Sequence, residues 1–299
     1  MSKCPVCNRA EKLSYSMSFQ TEVDISCPFL QVNLQMTGKV NINMRSCHNC
    51  VTALGIAAAH GNFLKVVSLL LDYGANPNTS VDDLTALSAA VQHKNQEMIS
   101  VLLERGADPN FSVRNVTPLG LAVGLDNHEA APFLLDSGAD PSAHQGIPLV
   151  CWAVYACNQV GQDEVCPNLN LLLQRGASVI TTVKPTGSTS AALSGWSAIH
   201  FAALKLSTAA LRVLVKHNAS LSARTSSDET ALHIPLLYAI RRDSEDNGRQ
   251  YAMLKELVRH GIDLDATDAF GDTALHIASK SHRDNVIEYL LEAGCTPDL

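Results

Sequence analysis

The sequence predicts a mainly α protein: a stack of short helix-turn-helix repeats with a small antiparallel β module at its front. Three observations predict it. The pentapeptide Gly74-Ala75-Asn76-Pro77-Asn78 returns as Gly106-Ala107-Asp108-Pro109-Asn110 and as Gly138-Ala139-Asp140-Pro141-Ser142, at equal spacing. A fixed period near thirty-three residues marks an array of stacked units rather than one closed globule. An amphipathic helical pattern ends at each return. Ahead of the first one, two Cys-x-x-Cys pairs enclose stretches of alternating apolar and polar residues.

Each unit reads as a turn, a short helix, a tight connection, a longer helix, a glycine and a loop. In the first unit Thr52 to His60 is a short Ala-rich helix, small enough in side chain for neighbouring helices to approach closely. Val66, Val67, Leu69, Leu70 and Leu71 then give a broad apolar face before Gly74, which accepts the left-handed conformation that ends a helix. Weaker echoes of the pentapeptide stand at Gly176-Ala177-Ser178, Asn218-Ala219-Ser220, Gly261-Ile262-Asp263 and Gly294-Cys295-Thr296-Pro297. Most unit starts carry Thr or Ser, which cap free backbone N–H groups, and two carry Pro, which is tolerated at the first helical position.

Those starts carry a resemblance. Asp272-Thr273-Ala274-Leu275-His276-Ile277-Ala278 is similar to the Thr-Pro-Leu-His-x-Ala signature of the ankyrin-repeat family. Glu229-Thr230-Ala231-Leu232-His233, Trp196-Ser197-Ala198-Ile199-His200 and Thr117-Pro118-Leu119 match it in part. Thr85-Ala86-Leu87 and Thr52-Ala53-Leu54 are further variants, and Ile147-Pro148-Leu149 is the most degenerate. The resemblance covers residues 51–299 in about seven units. It implies that His200, His233 and His276 hydrogen-bond a neighbouring turn and are structural. It also implies a protein-binding face made of the β-turn tips and the short helices.

The middle of the array breaks the period. Extra residues lie at 158–167, between two helices, in a Ser/Thr/Gly-rich stretch at 181–195, and in the charged stretch 241–250, which is expected to split another helix pair. Insertions of this kind are drift on a tolerant surface or, in the stretch from Thr181 to Ser194, a partner contact or phosphorylation site. At the far end the last apolar helix, with Val286, Ile287, Tyr289, Leu290 and Leu291, has no evident cap.

The first 50 residues differ. Cys4-Pro5-Val6-Cys7 and Cys47-His48-Asn49-Cys50 can present four thiolates in the tetrahedron that zinc accepts, so Cys4, Cys7, Cys47 and Cys50 are the expected ligands of a structural Zn2+. Between them Leu13, Tyr15, Met17 and Phe19, then Leu30, Val32, Leu34 and Met36, then Val40, Ile42 and Met44 alternate with polar residues, the period of antiparallel strands with one buried face. Thr37-Gly38-Lys39 is the expected hairpin turn. Knuckle, strands and knuckle together look like a zinc ribbon, domain 1–50, joined without a linker to the array, 51–299. A module this small buries too little apolar surface to fold securely alone, and a metal cross-link offsets that. Redox-active pairs and free buried thiols are the alternatives; Cys27 and His48 are possible substitute ligands. The module is expected to cap the first repeat.

Composition bounds function. The chain is 46% apolar, carries a net charge of −7 and has no apolar run of membrane-spanning length, and its N-terminus lacks a signal-peptide core. The expected compartment is therefore intracellular and reducing, cytoplasm or nucleus. No phosphate loop, nucleophile elbow or His-Glu-x-x-His helix is present, and the expectation is not an enzyme. The competing class is nucleic-acid binding through the ribbon, but residues 1–50 hold no dense basic patch. A protein partner is expected instead, at the turn tips: Asp82 and Asp83, Arg114 and Asn115, Trp196, Asp228 and Glu229, and Phe270. Trp196 and Phe270 are candidate exposed anchors; the alternative is that Trp196 packs on the adjacent insertion and Phe270 on the neighbouring turn.

Overall fold

The computed structural model describes residues 42–43, 52–61, 63–81, 84–114, 116–143, 146–157, 166–184, 191–238 and 244–297. The expected zinc ligands, the rest of the β module, and the tip residues Asp82, Asp83 and Asn115 lie outside them; Ile42 and Asn43, expected within the third strand of that module, form a turn instead. Among the described residues, fourteen α-helices form seven pairs. The pairs are α1 (Ala53–Ala59) with α2 (Leu64–Asp72), α3 (Ala86–Gln92) with α4 (Gln96–Glu104), α5 (Pro118–Gly124) with α6 (Ala130–Asp136), and α7 (Leu149–Ala156) with α8 (Pro167–Gln174). They continue as α9 (Ala198–Leu204) with α10 (Thr208–Lys216), α11 (His233–Tyr238) with α12 (Ser244–Arg259), and α13 (Ala274–Lys280) with α14 (Asp284–Glu292). The described sheet is a two-stranded hairpin, β1 (Ser80–Val81) against β2 (Leu84–Thr85), with Ser80 opposite Thr85 and Val81 opposite Leu84.

The recurring pentapeptide has a structural cause. Gly74 has φ +85°, and its N–H donates to the Leu71 carbonyl while the Ala75 N–H donates to Leu70. Those two bonds are a Schellman stop, which supplies donors to the last carbonyls of α2. Ala75 is then buried. Asn76 turns the chain again by accepting from the Asn78 N–H at 2.9 Å, and Asp108 and Asp140 do the same for Asn110 and Ser142 at 2.8 Å. Each residue of the motif thus has a separate task. The starts are as expected: Thr52, Thr85, Thr117 and Thr273 accept from the third backbone N–H beyond them, and Pro118 sits in the first turn of α5.

The chain forms two compact units, one ending at residue 114 and one beginning at residue 115. In the first, α1 packs on α3 and α2 on α4. Its core is Leu54, Val67, Leu87, Met98, Ile99 and Leu102, all essentially without solvent contact. Asparagine side chains join its turns. Asn78 donates to the Gly106 carbonyl at 3.3 Å and accepts from the Asp108 N–H at 2.7 Å. Asn43 repeats this one step earlier, on the Gly74 carbonyl at 3.3 Å and the Asn76 N–H at 2.7 Å. The clamp therefore reaches back across the boundary drawn at residue 50.

In the second unit the short helices α5, α7, α9, α11 and α13 pack in succession, while α8 packs on α10 and α10 on α12. The sequence expectation for 241–250 needs correction: α12 begins at Ser244, so the latter half of that stretch is helix, not an insertion between helices. Among the described residues, no helix is long and apolar enough to cross a membrane.

Candidate functional site

The tip expectations separate once their surroundings are known. Phe270 is 88% exposed, at the apex of a turn whose framework is Asp268. The Asp268 carboxylate accepts from the N–H groups of Phe270 at 2.8 Å and Asp272 at 2.9 Å. Asp228 is also exposed, and its carbonyl accepts from Arg224 at 3.1 Å. Arg114 is exposed with φ +47°. Glu229 is not an acidic tip. It is buried, and its carboxylate accepts from the Thr225 hydroxyl and the Tyr238 phenol, each at 3.0 Å. Burial, then the bond to Glu229, push the Tyr238 phenol up to about 12.

Trp196 requires the larger correction. It is 2% exposed and is no surface anchor in this chain. Its ring meets Phe201 edge-on at 5.4 Å and Tyr238 at 5.7 Å, and lies 6.0 Å from the His200 ring. The reason is local. Val183 and Trp196 are bridged, N–H to carbonyl at 2.7 Å, so the stretch after the 185–190 segment folds back as a strand-like bridge and turns the indole inward. Gly195 makes this possible: at φ +77° a Cβ there would stand 2.8 Å from the Ser226 backbone nitrogen. Successive tips are then tied together, Ser226 N–H to Ser194 carbonyl at 3.1 Å and Ala269 N–H to Ser227 carbonyl at 2.9 Å.

The buried indole supports an exposed surface in front of it. Tyr155, on α7, is 58% exposed and packs edge-on against Phe201 at 6.4 Å. The Lys205 ammonium lies 4.9 Å from the Tyr155 ring centre, a cation–π contact. One turn away on the same helix Trp152 is 40% exposed. Its ring lies over Gly124, where a Cβ would come within 2.7 Å of it. Leu125 and Tyr238 are half-exposed at the ends of α5 and α11. The short-helix layer of this unit thus presents aromatic rings backed by a rigid aromatic core.

Sequence reasoning did not single out Trp152 and Tyr155, although a signal was there. The helix Leu149-Val150-Cys151-Trp152-Ala153-Val154-Tyr155-Ala156 holds no polar residue. Such a helix is either enclosed on all sides or carries an apolar outer face. Here Leu149, Val150, Cys151, Ala153 and Val154 are buried, which leaves the two aromatics, three positions apart, on the outside.

His200 and His233 bond a neighbouring turn as the family resemblance implies, while His276 accepts from the Thr273 N–H of its own helix start. The Ser197 N–H donates to Nδ1 of His200 at 3.0 Å, and Nε2 of His200 faces the Ala223 carbonyl at 3.1 Å. A backbone N–H can only donate, so Nδ1 is the bare nitrogen and Nε2 carries the proton. His233 repeats the arrangement with the Thr230 N–H at 3.1 Å and the Asp272 carbonyl at 3.2 Å. Burial lowers both histidines, His200 to about 4, so both are neutral at pH 7. Among the described residues, no group of three or more His, Cys, Asp or Glu is placed to hold a metal.

Comparison with known proteins completes the picture. A model of ankyrin repeats in three copies matches residues 28–113, 54–145 and 234–299, more than half of the chain. The first match begins inside the segment expected to be the β module. The ankyrin-repeat domain of Bcl-3, described as a unique member of the IkappaB protein family, superposes with a TM-score of 0.65 at 25% identity, covering 82% of this chain and 100% of that one. The human ASB11 ankyrin-repeat domain superposes with a TM-score of 0.63 at 22% identity, covering 83% and 100%, a likeness of fold. No curated protein matched the chain. With repeat signature, helix pairs, stop motif and family model in agreement, the chain belongs to the ankyrin-repeat family.

Proposed function

We propose that the chain is a non-catalytic intracellular scaffold or adaptor that holds a protein partner on the short helices and turn tips of its second unit. The observation that carries this is the pair Trp152 and Tyr155, exposed on a helix without polar residues and braced from behind by Gly124 and Phe201. Aromatic side chains held rigid before binding lose little entropy on contact and are favoured anchors. Phe270 and Asp228 extend the surface along the tips. The partner segment that fits presents apolar side chains to the rings and tolerates the Lys205 charge beside them.

The test is affinity capture with the intact chain, followed by titration of the captured partner. Trp152→Ala with Tyr155→Ala is expected to weaken binding by about tenfold or more, the scale of a hot-spot loss. Tyr73→Ala, in the first unit and more exposed than either, is expected to change it little. Equal affinity for all three chains contradicts the proposal.

We further propose that Cys4, Cys7, Cys47 and Cys50 hold one structural zinc ion at the front of the array. The support is the donor set: four thiolates in two Cys-x-x-Cys pairs satisfy a closed tetrahedral site and leave no open position for chemistry. Asn43, four residues before Cys47 in sequence, bonds the Gly74 carbonyl and the Asn76 N–H of the first repeat. Purified without chelators, the chain is expected to carry about one zinc, with a lower melting temperature once the metal is removed. A zinc content well below one per chain overturns the assignment.

A further inference from the structure

Cys157 follows α7 and Cys166 precedes α8. They are nine positions apart in sequence, and their sulfur atoms lie 2.6 Å from each other. A disulfide bond needs a separation of about 2.05 Å, so roughly half an ångström of approach remains. Both side chains are buried, with the Ser207 side chain also bonded to Cys166. Both residues also have non-helical backbone, Cys157 at φ −60° and ψ 103°, Cys166 at φ −106° and ψ 78°. The approach therefore involves only the helix ends, where the Cys157 N–H donates to the Ala153 carbonyl and the Cys166 carbonyl accepts from the Asn170 N–H. The other described cysteines are placed differently. Cys151 is enclosed within α7, and the Cys295 thiol points at the Leu264 carbonyl, 3.6 Å away.

We propose that Cys157 and Cys166 form an oxidative modification site, a dithiol that a peroxide-class oxidant converts to an intramolecular disulfide tying the end of α7 to the start of α8. One thiol gives its proton to water, and its sulfur attacks a peroxide oxygen. The S–O bond forms, the O–O bond breaks, and hydroxide leaves and takes up that proton. The second sulfur then attacks the sulfenic sulfur, the S–S bond forms, the S–O bond breaks, and the departing hydroxyl leaves as water with the second thiol's proton. Two thiols and one peroxide become one disulfide and two waters; the sulfurs lose two electrons and the peroxide gains them.

The surroundings set the pace. The hydrogen bond with Cys157, burial and the nearby Asp126 charge hold the Cys166 thiol far above the ordinary thiol range, against a smaller opposing effect of the Ser207 side chain. The thiolate is the attacking species, so conversion is slow and answers sustained rather than brief oxidation. Once formed, the bond fixes the end of the helix that carries Trp152 and Tyr155.

The experiment uses the intact chain, reduced, freed of reductant, and exposed to hydrogen peroxide. Alkylation in denaturant and cleavage after Glu164, which lies between the two cysteines, then separate their peptides unless a disulfide joins them. The expected result is a linked peptide pair as the major form, parted by reductant, and absent from Cys157→Ser, while Cys151, which shares the Cys157 peptide, is found alkylated when that peptide is fragmented. Recovery of Cys157 and Cys166 as free thiols, as sulfinic acids, or joined to other cysteines overturns the proposal. The map of the unsubstituted chain decides this even where the variant folds poorly.

Discussion

Between residues 52 and 114 neighbouring turns are joined by amides: Asn43 holds Gly74 and Asn76, and Asn78 holds Gly106 and Asp108. From residue 197 onward they are joined by imidazoles: His200 reaches Ala223, and His233 reaches Asp272. The helix pair is the same in both units, but the amides join successive loops after the long helices, as Asp265 does with the Thr296 N–H in the second unit, while the imidazoles join a helix start to the next turn. The two kinds of joint also differ in one property: an amide does not titrate, while a buried imidazole does. The surfaces differ as well. The short helices of the first unit are built around Ala57, Ala58, Ala89 and Ala90, whereas the second unit lays Trp152 and Tyr155 over Gly124 and Phe201. Regular repeats give a stable frame, and departures from regularity give a face that can tell partners apart.

Four outcomes would break or sharpen that contrast. The largest concerns Trp196. If it is the hub of the second unit, Trp196→Ala costs about 3–5 kcal/mol of stability by denaturant unfolding, the scale of a large aromatic lost from a core. A change near zero would return it to the surface. Next comes acid. His200 is held at about 4 when folded against 6.5 as a free side chain. The unfolded chain therefore takes up a proton first as pH falls. The stability concerned is fully present above pH 6.5 and is lost between there and pH 4, on the order of 3 kcal/mol. His233 shifts in the same direction. Unfolding curves at pH 7.5 and 4.5 should show this loss in the second unit, and His200→Gln should flatten the dependence. Third, Asn78→Ala removes two bonds of the amide clamp and is expected to cost about 1–2 kcal/mol in the first unit, with no pH signature. Smallest is Thr85→Ala, about 1 kcal/mol for a lost helix cap, read in the same way.

The repeats were legible in the sequence because every signal is local. Gly74, Ala75 and Asn76 each act within their own turn, and Thr85 caps the helix that it begins. What was not legible depends on residues brought together from a distance. Trp196 follows a glycine in an insertion, the pattern of an exposed tip. Its burial comes from the bridge to Val183 and from Tyr238, some forty residues on. Glu229 looks like half of an acidic tip beside Asp228 until Thr225 and Tyr238 enclose it. Phe270 remained where the sequence placed it, because the Asp268 turn that lifts it is itself local. The aromatic pair on α7 stands between these cases, since its helix announced an unusual face but not what would brace it.

Hydrogen exchange on the intact chain, with and without its captured partner, tests the binding account most directly. Protection is expected in α7, α9 and the turns at 225–229 and 268–272, with α2 and α4 of the first unit unchanged. Protection confined to the first unit, or to the long helices α8 and α10, would contradict it.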